Sequence, residues 1–113
     1  MPDCLFCKIA AKELDSEIVF ESANVIAFRD VNPAAPSHVL VIPKEHVGSA
    51  HDLTRAHGDV LGEMFESIVA VAESEGVHEG YRVVTNVGPD AGQSVFHLHF
   101  HVIGGRQLSW PPG

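Results

Sequence analysis

Basic residues are scarce in this chain. Seven lysines and arginines stand against 15 aspartates and glutamates in 113 residues, which gives a formal net charge of -8 at pH 7. Such a charge repels phosphate backbones at long range, so the composition argues against nucleic-acid binding as the main task. Any ligand that carries phosphate must therefore be held by local hydrogen-bond donors.

Long apolar runs are also missing. No segment approaches the roughly 18 residues that span a bilayer, and the start, Met-Pro-Asp-Cys, lacks the basic region and apolar stretch of a secretory signal. We therefore expect a soluble cytoplasmic protein with no membrane partner. A hydrophobic content of 45% in a chain of this length predicts a single domain over residues 1–113.

Cysteine occurs only at Cys4 and Cys7, in a Cys-x-x-Cys pair. In an intracellular protein this spacing indicates a metal knuckle or a redox pair rather than a structural disulfide. The redox interpretation is the weaker one, because no strand-turn-helix pattern of the thioredoxin kind surrounds the pair.

The hydropathy pattern predicts an α+β fold. A short N-terminal helix at 4–12 and a long amphipathic helix between Thr54 and Gly76 accompany a five-stranded antiparallel sheet, and we expect both helices on one face of it. Alternating or continuous apolar runs predict strands at 18–20, 25–28, 38–43, 81–87 and 97–103.

The segment His-Leu-His-Phe-His-Val-Ile at 97–103 carries histidine at every second position. Side chains alternate along a strand, so His97, His99 and His101 are expected on one face, with the intervening apolar residues in a core. Neutral imidazole is both a nucleophile and a metal ligand near pH 7. The row therefore suits either nucleophilic attack on phosphorus or a metal site.

A turn with hydrogen-bond donors precedes this row. In Gly92-Gln93-Ser94, glycine lets backbone amides approach a ligand, and the Gln and Ser side chains can donate to an anionic oxygen. Such a turn is weak evidence alone, and its place beside the histidines gives the functional interpretation its weight.

The histidine segment resembles the signature of the histidine triad superfamily of nucleotide hydrolases and transferases. The resemblance extends over nearly the whole chain, through Phe28-Arg29-Asp30-Val31, the run at 37–44 and the ending Gly-Gly-Arg-Gln-Leu-Ser-Trp-Pro-Pro-Gly at 104–113. That C-terminal tail is similar to the nucleoside phosphoramidase branch rather than to the diadenosine polyphosphate hydrolases.

The resemblance implies a mechanism. His99 would attack the α-phosphorus of an adenosine or guanosine 5'-phosphoramidate, and water would release the monophosphate from a nucleotidyl-histidine. It implies catalytic or relay roles for His38, His97, His99, His101 and Ser94, and nucleotide contacts for Phe28, Asp30, Val31, Asn86, Gln93, Ser94, His99 and His101.

Three of these implied roles have ordinary structural alternatives. Asp30 would accept from the ribose hydroxyls, although a carboxylate before Asn-Pro also suits a turn. His38 would belong to a proton relay or be a half-buried strand histidine. Trp110 would contact the partner subunit's site in a homodimer, or lie exposed in a disordered tail.

The resemblance also implies a structural zinc ion. Cys4, Cys7 and His46, with the first triad histidine, His97, are similar to the zinc ligands of other superfamily members. Two thiolates and two imidazoles make a closed tetrahedral site with no open position for water. The alternative is an unmetallated pair of partly buried cysteines.

Two other functions remain open. One is a dinucleoside polyphosphate hydrolase or nucleotidyl transferase of the same superfamily. The other is a module that binds purine nucleotides or a protein partner without significant turnover. Purine nucleoside phosphoramidates and monophosphates are the expected small-molecule partners, and no organic cofactor is expected.

Overall fold

The computed structural model describes residues 3–113. Its strands and α-helices are α1 Leu5–Ala10, β1 Ile18–Glu21, β2 Val25–Arg29, β3 Ser37–Pro43, α2 Gly58–Ser74, β4 Tyr81–Val84 and β5 Phe100–Gly104. Short 3-10 turns lie at Ala50–Asp52, Arg55–His57 and Pro89–Ala91.

The five strands form one sheet in the order β1-β2-β3-β5-β4, and each neighbouring pair is antiparallel. The central strand β3 is buried over its whole length. The predicted α+β fold with a five-stranded antiparallel sheet is thus confirmed. Among residues 3–113, no helix has the length and apolar character that crossing a bilayer requires.

The two faces of the sheet carry separate cores. One contains Leu98, Phe100 and Val102 with side chains of α2, and the other contains Phe6 and Ile9 of α1. The first core also includes Val25, Ala27, Val39, Val41, Met64, Ile68 and Val71, and the second includes Ile26, Phe28, Leu40 and Ile42. Alternate residues of β2 and β3 therefore face opposite cores, as strand geometry requires.

The expectation that both helices share one face is wrong. α2 packs on the face of Leu98 and Phe100, whereas α1 packs on the opposite face through Phe6 and Ile9. A helix of six residues carries too few apolar positions for its sequence to show which face it covers. The consequence is that α1 lies on the histidine side of the sheet.

The last strand begins later than predicted. β5 starts at Phe100, so His97 and His99 precede it. Their carbonyl oxygens accept from side chains: the His99 ring donates to the His97 carbonyl at 2.7 Å, and the Thr85 hydroxyl donates to the His99 carbonyl at 2.8 Å. These bonds replace ladder bonds, so the segment is not a regular strand, but its side chains still alternate.

Two other predicted boundaries shift for local reasons. β4 ends at Val84 instead of residue 87, directly before Thr85 turns its hydroxyl toward the His99 carbonyl. Thr54 is an N-cap as expected, but it caps the 3-10 turn at Arg55–His57 that precedes α2. Gly76, with φ of 72°, follows the end of α2 as expected of a helix stop.

Candidate active site and metal cluster

His99 lies directly before β5, on the α1 side of the sheet. Its ring is buried, and Nδ1 donates to the carbonyl oxygen of His97 at 2.7 Å. Because a carbonyl only accepts, the ring proton is on Nδ1 and the lone pair of the neutral ring is on Nε2. The local backbone thus fixes the tautomer that attack by Nε2 requires.

His38 and His101 form a second, directional arrangement. The amide of Ala34 donates to Nδ1 of His38 at 2.9 Å, so the proton of the neutral His38 ring is on Nε2. That Nε2 donates to Nδ1 of His101 at 2.8 Å. The proton of His101 consequently lies on its own Nε2.

Nε2 of His101 is buried and has no hydrogen-bond partner among residues 3–113. In this part of the chain it is the only buried side-chain nitrogen or oxygen atom without one. Its ring centroid lies 5.0 Å from that of His99. A buried donor without an acceptor is costly, and a ligand oxygen or nitrogen would satisfy it. A nucleophilic nitrogen and an unsatisfied donor are therefore neighbours.

Burial keeps the rings of His38 and His101 neutral. It lowers the pKa of His38, although the nearby Asp30 carboxylate acts in the opposite direction. Burial and then the nearby rings of His99 and His38 lower the pKa of His101 to about 4. Near pH 7 both rings hold one proton, so the hydrogen-bond directions given above apply.

A cavity of about 390 Å³ opens onto these side chains. His99, His101 and Ser94 line it, together with Phe28, Asp30 and Val31. Leu5, Phe6, Ile9 and Leu14 form an apolar part of its wall. A pocket of this size that combines apolar side chains with a few polar groups is typical of small-molecule sites.

Phe6 lies between the apolar wall and His99. Its ring packs edge-on against His99, with 5.1 Å between ring centroids, and against Phe28 at 5.3 Å. Sequence reasoning missed Phe6, because it lies between two cysteines whose spacing indicates a metal site. The available signal was the apolar set Leu5, Phe6 and Ile9 within one short helix.

Asp30 is the turn residue that its sequence context suggested, and it also lies at the site. Oδ1 accepts from the Asn32 amide at 2.8 Å, which closes the turn after β2, and Oδ2 lies 3.4 Å from Nε2 of His38. The carboxylate also lines the cavity. It is therefore a turn residue with one oxygen at the site.

The loop before His97 places its polar residues differently. Ser94 is exposed at the mouth of the cavity. The Gln93 amide instead bonds to the backbone, because Oε1 accepts from Gly88 and Nε2 donates to Gly48 and Val95 at 2.9 to 3.1 Å. Gln93 thus holds the loop that presents Ser94.

Two further residues with predicted contacts do not line the cavity. Asn86 is half-buried after β4 and does not line the cavity. Trp110 is 81% exposed in the C-terminal tail. That tail is attached to the sheet by Arg82, whose Nη2 donates to the carbonyl of Ser109 at 2.8 Å.

The four predicted metal ligands converge. One ligand atom from each of Cys4, Cys7, His46 and His97 can be chosen so that all lie within 4.8 Å of one another. Nδ1 of His97 lies 3.2 Å from Sγ of Cys4, and Nδ1 of His46 lies 3.4 Å from Sγ of Cys7. These residues could hold a metal ion.

The hydrogen bonds around this cluster suit a tetrahedral metal. Nε2 of the fully buried His97 donates to the carbonyl of Pro43 at 2.8 Å, so the His97 lone pair is on Nδ1, toward the thiols. The amide of Cys7 donates to Sγ of Cys4 at 3.3 Å. Two sulfurs and two imidazole nitrogens are a donor set typical of structural zinc.

Asp30, His38 and His101 form another close group of possible ligands. The donor inventory does not favour a metal there. Nδ1 of His38 accepts from Ala34, and Nδ1 of His101 accepts from His38. Both ring lone pairs are used, so this group fits a proton relay better than a metal site.

Comparisons with known proteins agree with the fold and the site. The HIT domain family model matches residues 11–108. The chain is 48% identical to the 14 kDa zinc-binding protein of Zea mays, over 96% of this chain and 87% of that protein. It is also 48% identical to adenylylsulfatase HINT1 of Arabidopsis thaliana, over 96% of this chain and 76% of that protein.

A crystal structure of a HIT family hydrolase from Legionella pneumophila Philadelphia 1 superposes with a TM-score of 0.96. The two sequences are 46% identical, and the superposed region covers 98% of this chain and 100% of the Legionella chain. Family model, relatives and structure agree, and the protein belongs to the HIT domain family. The resemblance drawn from the histidine segment is confirmed.

Proposed function

We propose that this protein hydrolyses the bond between the α-phosphorus and the leaving nitrogen of purine nucleoside 5'-phosphoramidates. One observation carries the proposal: His99, whose Nε2 holds the ring lone pair, and His101, whose Nε2 is a buried donor without a partner among the described residues, line the same cavity. A nucleophile and a hydrogen-bond donor to the leaving group are two groups that assist displacement at phosphorus.

In the first step, Nε2 of His99 forms a bond to phosphorus while the phosphorus–nitrogen bond of the substrate breaks. Nε2 of His101 donates a hydrogen bond to the leaving nitrogen, which takes a proton from solvent and departs as an amine, so both rings of the His38–His101 pair stay neutral. The His99 ring, now bonded through Nε2, keeps its Nδ1 proton on the carbonyl of His97. Positive charge that develops on the ring is stabilised by this carbonyl dipole.

In the second step, water attacks phosphorus and the bond to His99 breaks. The water proton is released to solvent, and the nucleoside monophosphate leaves. His38 contributes by fixing the His101 tautomer and polarising it. His97 contributes through its carbonyl, because its ring faces the cysteines.

The cavity wall supports a nucleotide ligand. The side chains of Leu5, Phe6 and Ile9 offer an apolar surface for a base, and Asp30 offers a carboxylate oxygen for ribose hydroxyls. Ser94 at the mouth would donate to a phosphate oxygen. With these contacts, the α-phosphorus would lie between the apolar wall and the histidines.

We also propose that Cys4, Cys7, His46 and His97 hold one zinc ion. When bound, the ion would supply structural cross-linking and no open coordination position. It would tie α1 and the segment after β3 to the residues just before β5. It would stabilise the wall that carries Phe6 without taking part in the reaction.

A homodimer is the proposed assembly, with Trp110 near the partner subunit's site. The support is an 81% exposed Trp on a tail that Arg82 and Arg106 fasten to the body of the protein. A large aromatic side chain exposed to this extent is available to contact a partner subunit. Sedimentation of the wild type and of Trp110→Ala measures the assembly.

A second substrate class is favoured by the name of the Arabidopsis thaliana relative, adenylylsulfatase. Attack by His99 on adenylyl sulfate would release sulfate, which needs no proton, and the second step would be unchanged. Adenosine phosphoramidate, adenylyl sulfate and diadenosine polyphosphate therefore form one test series with a single preparation.

The proposal predicts the highest kcat/KM for the phosphoramidate. A higher kcat/KM for adenylyl sulfate would make sulfate the leaving group. A higher kcat/KM for diadenosine polyphosphate would support the diadenosine polyphosphate hydrolase branch. Tight binding of nucleoside monophosphate without single-turnover chemistry on any of the three would leave a binding module.

A further inference from the structure

The hydrogen-bond chain behind His101 starts at a backbone amide between β2 and β3. Ala34 donates to Nδ1 of His38 at 2.9 Å, and this bond decides which nitrogen of His38 carries the proton. An amide can only donate, so Nδ1 stays unprotonated while this peptide faces the ring. The tautomers of both His38 and His101 thus depend on the orientation of Ala34.

Arg106 holds the same residue from the other side. Its Nε and Nη2 donate to the carbonyl oxygen of Ala34 at 3.1 and 3.0 Å, and Nη1 donates to the carbonyl of Gln107 at 3.0 Å. A planar guanidinium donates in fixed directions, so it restrains the backbone it binds. Arg106 does not line the cavity.

The turn after β5 is built to bring Arg106 to this loop. Gly105 has a φ of 93°, and a Cβ added there would lie 3.1 Å from Cβ of Pro36. Left-handed backbone and close packing both favour glycine. The turn and the Ala34 loop are therefore in contact independently of the Arg106 side chain.

We infer that Arg106 is a positioning residue: by fixing Ala34 it keeps the protons of His38 and His101 on their Nε2 atoms, so that His101 presents a donor to the substrate. This inference rests on the proposed function for its catalytic consequence. Without the restraint, His38 can carry its proton on Nδ1, and its Nε2 then accepts from Nδ1 of His101. In that state Nε2 of His101 carries no proton and cannot donate a hydrogen bond to the leaving nitrogen.

Asp30 limits how far the loss of Arg106 can change the tautomer of His38. Its Oδ2 lies 3.4 Å from Nε2 of His38 and favours a proton there even when Ala34 is released. Removal of Arg106 should therefore shift the tautomer populations without inverting them completely. We expect a partial loss of kcat rather than inactivation.

The experiment compares Arg106→Met, which removes all donors, with Arg106→Lys, which keeps one. Arg55→Met is the control for loss of a positive charge, because Arg55 lies exposed in a 3-10 turn before α2. Steady-state turnover of adenosine phosphoramidate and long-range proton–nitrogen NMR of the histidine rings are measured on each. The NMR signals distinguish protonated from unprotonated ring nitrogens without any substrate.

For Arg106→Met we expect kcat to fall roughly ten-fold, the scale of one lost hydrogen bond, with KM within about two-fold of wild type. The Nδ1 and Nε2 signals of His38 should move toward each other as the second tautomer becomes populated. Arg106→Lys should recover part of both changes, and Arg55→Met should show neither.

Unchanged kcat in Arg106→Met would overturn the inference. So would a fall in kcat without any change in the His38 signals, because that would indicate a role unrelated to the tautomer, and so would a rise in KM alone. If wild-type protein does not turn over the phosphoramidate, the proposed function fails, and the NMR comparison still decides whether Arg106 sets the tautomer.

Discussion

Nε2 of His38 lies 2.8 Å from Nδ1 of His101, and the direction of this hydrogen bond determines what the site offers to a ligand. The Ala34 amide makes His38 the donor, so the proton of His101 is on Nε2, which has no partner in the described part of the protein. His99 does the opposite, because its Nδ1 proton is held by a carbonyl and its Nε2 is free. Two adjacent imidazoles thus have different chemical roles.

Replacing Asp30 should affect the sugar contact selectively. In Asp30→Asn the side-chain oxygen can still accept from the Asn32 amide, so the turn should survive, while the charge facing the ribose is lost. Affinity for adenosine monophosphate should fall by about 1.5 to 3 kcal/mol, and affinity for the 2'-deoxy nucleotide should fall less. Calorimetry with both nucleotides measures the difference.

Asp15→Asn is the matched control, because Asp15 also lines the cavity. It should change the two affinities equally. If Asp30→Asn also weakens ribose and deoxyribose nucleotides to the same extent, Asp30 is a turn residue without a sugar contact.

Removing both thiols should release the zinc ion without abolishing turnover. A Cys4→Ser, Cys7→Ser double variant should lose about one zinc per subunit and have a lower free energy of unfolding, because metal binding is coupled to folding. The folded fraction should retain substantial turnover, since His99 is not a ligand in this arrangement. Metal analysis by mass spectrometry and chemical denaturation measure the two effects.

His51→Gln provides the comparison for this variant. His51 lines the cleft of about 730 Å³ that Cys4 and His46 also line, but it is not one of the four converging ligands. The His51→Gln variant should retain its zinc. Wild-type protein purified under reducing conditions without bound metal would refute the zinc site, and zinc that persists without the cysteines and is required for turnover would make His99 a ligand.

Stability should decrease in mild acid because of the buried pair. The pKa of His101 is lowered to about 4 and that of His38 is also lowered, both chiefly by burial, whereas histidine in an unfolded chain titrates near 6.5. Between these values the unfolded state binds more protons than the native state. The free energy of unfolding should therefore fall as pH is lowered from about 6.5 to about 4.

His101→Gln should reduce this slope in denaturation curves, and the exposed His51→Gln should leave it unchanged. Carboxylates such as Glu75, whose pKa is lowered by its bond to Arg29, act at lower pH and cancel in the comparison. Equal slopes for His101→Gln and wild type would contradict the assigned protonation states.

The sequence predicted well where side-chain type alone decides the outcome. The alternation of Leu98, Phe100 and Val102 with histidine separated core from site, because a strand has a period of two. The four possible metal ligands were implied by the family resemblance, and the structure brings them together from three places in the chain.

The features that were missed depend on the backbone. The late start of β5 comes from side chains that bond to carbonyls, and the donor to His38 is the amide of an alanine, which residue type cannot reveal. The position of α1 was wrong because Phe6 and Ile9 could have covered either face. Gln93 was expected near a nucleotide, but its amide is used by the loop backbone.

The central claim is that His99 becomes covalently bonded to the nucleotide. The most direct measurement is intact-mass spectrometry of protein mixed with adenosine phosphoramidate and quenched in alkali within milliseconds, followed by peptide mapping. We expect an adenylyl adduct on the peptide that contains His99, and no adduct with His99→Asn, which should still bind adenosine monophosphate while turnover falls by several orders of magnitude. Near-normal turnover by His99→Asn, or an adduct that maps to another histidine, would contradict the account.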